Sequence, residues 1–163
     1  MSEMAMSASS EDIDREYRVY RIQNGTVIDH IPHWQARRVV NILGLVGSDS
    51  LVTIGFGLKS EHLERKDLLK VENRVLTQEE IDRIALVAPN ATINIIEDSR
   101  ITGKFKVRLP DEHVGLARCG NHGCITRHEP VPTRFRTLRR EPPIRLLCYY
   151  CQQETAGDDI ELV

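Results

Sequence analysis

Four cysteines carry the sharpest chemical signal in the chain, and they fall in two pairs, Cys119-x4-Cys124 in "CGNHGC" and Cys148-x2-Cys151 in "CYYC". Each short spacing turns two thiols toward one point, so the pairs together can offer four thiolates to one tetrahedral ion, the habit of structural zinc. The other uses of four cysteines are two disulfides or free thiols. The opening "MSEMAMSASSEDIDRE" has neither the basic nor the apolar segment of a secretory signal. The expected compartment is therefore cytoplasmic, where thiols stay reduced, and one Zn2+ per chain is the expectation. Four thiolates close the shell and leave no position for a reactive water, so the ion is read as structural. Gly120 and Gly123 are expected to loosen the first loop, His122 to be solvated or to lie beside the thiolates rather than replace one, and His113 and His128 to be surface residues.

A second constellation closes the run "GTVIDHIP", where Asp29 and His30 stand side by side before Pro32. Neighbours on a regular strand point to opposite faces, so the two can serve one ligand only if the strand kinks. No Walker loop, G-x-G-x-x-G, H-E-x-x-H or nucleophile elbow is present, and no nucleophile stands with its base and oxyanion donors. The chain is expected not to be an enzyme.

The elements that must hold these residues follow from periodicity. "YRVYRIQNGTVIDHI" alternates with period two around a turn-like Asn24-Gly25. After Pro32, "HWQARRVVNILGL" puts Trp34, Val39, Ile42 and Leu43 near one helical face, and Gly44 and Gly47 end the pattern. "LVTIGFGL" and "RKDLLKVENRVL" read as strands, the second through Leu69, Val71 and Val75. In "TQEEIDRIALVAPN", Thr77 and Glu80 form a capping box, Ile81, Ile84, Ala85 and Ala88 a buried stripe, and Pro89-Asn90 a stop. "ATINIIEDSRITGKFKVRL" adds further strand. The order β-α-β-β-α-β predicts an α+β fold, a ferredoxin-like domain with two helices on one face of an antiparallel sheet.

From Pro110 regular periodicity fades, and all four cysteines follow. The expected organisation is a disordered tail over 1–15, the ferredoxin-like domain over 16–109, and a small β-rich, zinc-ribbon-like domain over 110–163, joined through "PDEHVG". The last region is rich in arginine (Arg118, Arg127, Arg134, Arg136, Arg139, Arg140 and Arg145) against Glu129 and Glu141. That composition suits either a nucleic-acid face or a protein-docking face. The whole chain has a formal net charge of -2, which gives no broad field for nucleic acid or an anionic membrane. No apolar run approaches the roughly 20 residues of a membrane helix.

"NGTVIDHIP", "RKDLLKVEN" and "LVAPNATIN", followed by the cysteine spacing, closely resemble the regulatory chain of aspartate carbamoyltransferase, from Val19 to Cys151. The resemblance implies a non-catalytic chain with a nucleotide-binding domain before a zinc domain. It implies homodimers formed through the first domain, and a zinc domain docked on the catalytic chain, with two catalytic trimers bridged by three regulatory dimers. CTP, with UTP, would inhibit and ATP activate the first committed step of pyrimidine synthesis; neither nucleic acid nor membrane is an implied partner. By the same match Lys104, His30 and Asn94 would meet the triphosphate, and Asp29 and Lys70 the ribose and base. Val19, Tyr20, Arg21 and Ile22 would line the base pocket, with Ile96 and Ile101 nearby. Ser99 stands where the family can carry an aromatic, and Gln152-Gln153 where it can carry charge. A zinc-ribbon protein that binds nucleic acid through its arginines is the alternative.

Overall fold

The first strand begins at a glycine that nothing larger can replace. A Cβ at Gly25 would stand 2.1 Å from the Val71 carbonyl oxygen, and the φ of +139° disfavours other residues. From there the computed structural model, which describes residues 21–163, runs β1 (Gly25–Pro32), α1 (Ala36–Ile42), β2 (Val52–Lys59) and β3 (Arg65–Glu72). It continues through α2 (Gln78–Ala85), β4 (Thr92–Glu97) and β5 (Arg100–Lys106). The five strands make one antiparallel sheet in the order β2-β3-β1-β4-β5. Its first four are interlaced as the βαββαβ pattern requires, and β5 adds a hairpin to β4. The tail over 1–15, the strand-like residues from Tyr17, and Val19 and Tyr20 lie outside the described residues.

Both helices share one core with the sheet. Ala36, Val39 and Leu43 come from α1 and its C-cap, and Ile81, Ile84 and Ala85 from α2; all pack with Ile28, Leu69 and Ile93. Each fully buried Leu or Ile contributes roughly 1.5–3 kcal/mol. The expected capping box is present, with Glu80 N donating to Thr77 Oγ1 at 3.2 Å and Thr77 N to Glu80 Oε2 at 2.9 Å. Two details differ from the periodicity. Trp34 precedes α1 at a φ of +70° and is 62% exposed, and Val75 lies past the end of β3, also exposed. The start of α1 is held by Asp67 of β3, a fully buried carboxylate. It accepts from Ala36 N at 3.3 Å and Gly57 N at 3.0 Å, and lies 3.0 Å from His33 Nδ1.

The end of β1 carries a bulge. Ile28 pairs with Leu69 and Ile31 with Asp67, so Asp29 and His30 together oppose a single residue of β3. His30 sits at a φ of +57°. In an unbroken strand Ile28 and Ile31 would face opposite sides; the extra residue shifts the phase, and both are fully buried.

The second region contains β6 (Glu112–Val114), β7 (Ala117–Arg118), β8 (Arg134–Arg139), β9 (Arg145–Cys148), β10 (Glu154–Ala156) and β11 (Glu161–Leu162). Four of these form a sheet in the order β10-β9-β8-β6, and β11 pairs with β7. The "PDEHVG" segment is thus a strand of the sheet rather than a free connector. His113 lies within it at 1% exposure, not at the surface, with Nε2 2.9 Å from Thr137 Oγ1. Phe135, Leu146, Ile144 and Ile160 join the same continuous core as the first region. Across the seam three guanidiniums reach main-chain carbonyls: Arg38 donates to Ile160, Arg83 to Val163 and Arg140 to Leu109. Arg38 also pairs with Asp158 at 3.6 Å. No helix among the described residues is long and apolar enough to cross a membrane.

Candidate polyanion face and metal centre

Register alone gathers most of the expected first-region residues. Lys70 pairs with Val27, Val27 with Asn94, and Asn94 with Lys104, one row across β3, β1, β4 and β5. Paired residues share a face, so these side chains stand on the side of the sheet away from Ile28, Leu69 and Ile93. One step along the strands the row is Asp29, Thr92 and Lys106; one step the other way, Ile96 pairs with Ile101 beside Gly25. Over about 14 Å the face therefore grades from charged to apolar. Ile22 is buried and Arg21 exposed, close enough to Lys70 to help lower its pKa. Ser99 sits with Asp98 at the β4–β5 turn, at φ values of +62° and +50°, the pair of left-handed residues that a type I′ hairpin demands. Its amide donates to Gln23 O at 2.8 Å.

The bulge lets Asp29 and His30 stand on one side of the sheet, near Thr92 and Lys106. Asp29 accepts from His30 N at 2.7 Å, and its carboxylate lies 2.8 Å from Lys66 Nζ, a cation the sequence reading passed over. His30 Nδ1 is shielded from solvent without a hydrogen-bond partner, as is Asn94 Oδ1. Burial lowers the His30 pKa; Asp29 opposes that, while Lys66, His62 and Lys104 add to it. Burial likewise lowers that of Lys70, aided by Arg21 and opposed by Asp29. Both shifts come first from burial, with neighbouring cations adding to them. A cavity of ≈ 470 Å³ opens here, lined by His30, Lys104 and four further polar residues: His62, Asn90, Thr92 and Lys106. His62 and Lys106 were also passed over, since a lone loop histidine and one lysine in a strand carry no sequence signal.

The cysteines converge as their spacing predicts, with all four Sγ atoms within 4.8 Å of one another. Metal–sulfur distances of about 2.3 Å in a tetrahedron give sulfur–sulfur edges of about 3.8 Å. Cys119 and Cys151 are 3.6 Å apart and Cys124 and Cys148 3.8 Å, far beyond disulfide bonding, so the set fits a thiolate-bound ion. Burial pushes the Cys119 thiol up to about 12, against the Asn121 amide, and raises Cys148, against the Cys151 and Tyr150 amides. Cys151 is the most open of the four; burial acts to raise it, but the Gln153 amide and the Asn121 side chain bring it down to about 7. Thiols this buried need a cation to ionise together. Neither Gly120 nor Gly123 takes a positive φ; the left-handed residue at these loops is Gln152, at +60°. His122 is exposed and outside the thiol cluster, its carbonyl 2.7 Å from His128 Nε2.

Three of the arginines meant for a basic face are paired within the fold. Arg134 meets Glu112, Arg140 meets Asp111 and Arg145 meets Glu154. Arg134 also stacks over Tyr149, 4.6 Å from the ring centre. Internal partners neutralise part of the charge that a nucleic-acid face would need.

Compared with known proteins, the chain matches two family models in succession. Residues 17–108 match the allosteric domain of the aspartate carbamoyltransferase regulatory chain, and residues 111–161 its metal binding domain. Among curated relatives named aspartate carbamoyltransferase regulatory chain, that of Methanothermobacter thermautotrophicus is 49% identical over 147 residues, 90% of this chain and 94% of the relative. That of Pyrococcus abyssi is 46% identical over 147 residues, 89% and 96%. That of Porphyromonas gingivalis is 45% identical over 148 residues, 91% and 97%.

Proposed function

The chain belongs to the aspartate carbamoyltransferase regulatory chains, and on that premise we propose that it binds nucleoside triphosphates on the open sheet face and passes their effect to a catalytic chain. It is a non-catalytic subunit. The observation that carries the reading is the single row of Lys70, Asn94 and Lys104, with the Asp29–His30 bulge beside it and the Ile96–Ile101 pair at its apolar end. That grading suits a ligand with a polyanion at one end and a flat, uncharged ring at the other. His30, Asn94 and Lys104 take the triphosphate, Asp29 and Lys70 the ribose and base, and Arg21, Ile22, Ile96 and Ile101 the edge of the base pocket; Val19 and Tyr20 complete that pocket from outside the described residues. CTP and UTP act as inhibitors and ATP as activator. Each shifts activity only to the extent that it binds the two quaternary states with different affinity.

Residues 110–163 form the docking domain for the catalytic chain, held by one structural Zn2+ on Cys119, Cys124, Cys148 and Cys151. Four soft thiolates in a closed tetrahedron favour zinc over harder ions. Residues 16–109 form the effector domain and pair into homodimers, whose apolar contact suits the edge strand β2, where Ile54 and Phe56 are exposed beside Trp34. Three such dimers bridge two catalytic trimers in the cytoplasm.

Calorimetric titration of the zinc-loaded chain with CTP, then with ATP in competition, tests the effector reading. Saturable, mutually competitive binding that collapses in Lys70→Ala is the expected result. Absence of binding to the folded, zinc-loaded chain and to its mixture with catalytic trimers would sink it.

A further inference from the structure

The loop between β2 and β3 brings a residue to the cationic end of the face that strand periodicity gives no reason to expect there. His62 lies in "KSEHLERK", and its ring centre is 6.1 Å from that of His30, the planes tilted by 49°. Both imidazoles line the ≈ 470 Å³ cavity with Lys104 and Lys106, and no carboxylate is among its described lining residues. Thr92 and Asn90 add a hydroxyl and an amide to the same wall. Two lysine ammoniums and two imidazoles thus surround one space, a lining that suits an anion. His30 Nδ1 is 3.8 Å from Asp29 Oδ2, too far for a hydrogen bond, and has no other hydrogen-bond partner. The loop is anchored at its start, where Ser60 Oγ accepts from His62 N at 3.3 Å and Leu63 N at 3.1 Å, while the His62 side of the loop is exposed.

We propose that His62 completes a polyphosphate subsite, its imidazole closing with that of His30 on the terminal phosphates of the effector. The proposal rests on the nucleotide reading above and adds to it one binding residue and a pH response. Facing the pair are Asp29 on β1, Lys66 on β3, and Lys104 and Lys106 on β5; Glu61 and Glu64 flank His62 in the chain. Before binding, burial and the surrounding cations disfavour charge on His30, with Asp29 in opposition. A phosphate reverses that balance, and an imidazole that gains a phosphate partner binds its proton more tightly. Proton uptake then accompanies docking, so affinity rises as pH falls. Each linked proton is worth about a tenfold change in affinity per pH unit above the imidazole's free value.

The test is calorimetric titration of the full, zinc-loaded chain with CTP and separately with inorganic tripolyphosphate, from pH 6.5 to 8, in buffers of different ionisation enthalpy that count the protons taken up. His62→Gln is expected to take up fewer protons than the native chain, by up to about one, and to lose about tenfold in affinity at the acid end. His62→Arg keeps the charge at every pH, so it should retain tight binding with the low proton uptake of His62→Gln. Equal uptake and equal affinity in the native chain and His62→Gln overturn the proposal while leaving the effector reading in place. Tripolyphosphate binding that depends on His62, without CTP binding to the chain or to its mixture with catalytic trimers, sinks the effector reading and keeps the subsite. Binding of neither probe, by the chain or by its mixture with catalytic trimers, overturns both.

Discussion

Ile28, Leu69 and Ile93 fill one side of the first sheet and leave Lys70, Asn94 and Lys104 on the other, whereas in the second region the atoms that bind are also the atoms that hold. Cys119, Cys124 and Cys148 are as deeply buried as Phe135 and Leu146 beside them. Strand alternation separates stability from binding in the first region, because successive residues serve opposite faces. A thiolate cluster cannot separate them, since its ligands are themselves buried members of the core and must be held together by the ion they bind. The first region should therefore tolerate loss of the residues proposed to face its ligand, and the second should not tolerate loss of its cysteines.

The largest effect should come from Cys148→Ser or from chelation. Structural zinc supplies on the order of 10 kcal/mol in small thiolate domains. The second region should lose its ordered near-ultraviolet signal, and assembly with catalytic trimers should disappear in gel filtration; a variant that assembles normally breaks the comparison on the metal side. Gly25→Ala comes next. Its Cβ would fall 2.1 Å from Val71 O at the start of β1, so a loss of roughly 2–4 kcal/mol is expected in urea denaturation. Such a loss at a backbone position would show that the first region's stability resides in its ladder and core.

Lys70→Ala sharpens the contrast from the opposite direction. CTP affinity should fall by at least about tenfold, equivalent to about 1.4 kcal/mol, while the urea midpoint moves less than for Gly25→Ala, since only a half-buried side chain is shortened and the backbone is left in place. A large stability loss without a binding loss would reverse the assignment of that face. The smallest effect concerns His113. Burial lowers its pKa, with Asp82 and a hydrogen bond to Pro110 in partial opposition. Its folded value lies below the unfolded one, so the unfolded chain takes the proton first. The contribution to stability is complete above about pH 6.5 and is lost as pH falls toward the folded value. Melting temperature should drop between pH 7.5 and 5.5, and His113→Gln should flatten that slope.

Local signals told much of this story in advance. The cysteine spacing, the Thr77–Glu80 capping box and the strand–helix order each depend on residues within a few positions of one another, and each could be read directly. What stayed hidden depends on distant partners. The bulge at Asp29–His30 arises because Ile31 meets Asp67, a register that only β3 supplies. His113 looked like a surface histidine because its burial comes from β8, through Thr137 and Phe135, not from its own neighbours. Trp34 looked like a helix-face residue, yet the helix start is fixed two residues later by Asp67 from another strand. The arginine-rich stretch looked more basic than it is, because Asp111, Glu112 and Glu154, outside the window that suggested it, neutralise three of its members. His62 carried no signal because a loop's reach over a sheet is set by tertiary closure.

The seam between the two regions has a consequence for how such chains can drift and recombine. Across the seam Arg38, Arg83 and Arg140 each donate to a carbonyl, of Ile160, Val163 and Leu109, and Arg38 adds an ion pair with Asp158. A carbonyl is the same whatever residue bears it, so identity is demanded only on the donating side of those three carbonyl contacts. Val163, whose side chain is exposed, is free to vary without loosening the joint. A graft of the second region from a relative onto this first region would keep two of the three contacts through Arg38 and Arg83, and needs only an arginine at the position of Arg140 to keep the third. This polar part of the joint is therefore portable, whereas the shared apolar core and the Arg38–Asp158 pair still tie the two regions to each other's side chains.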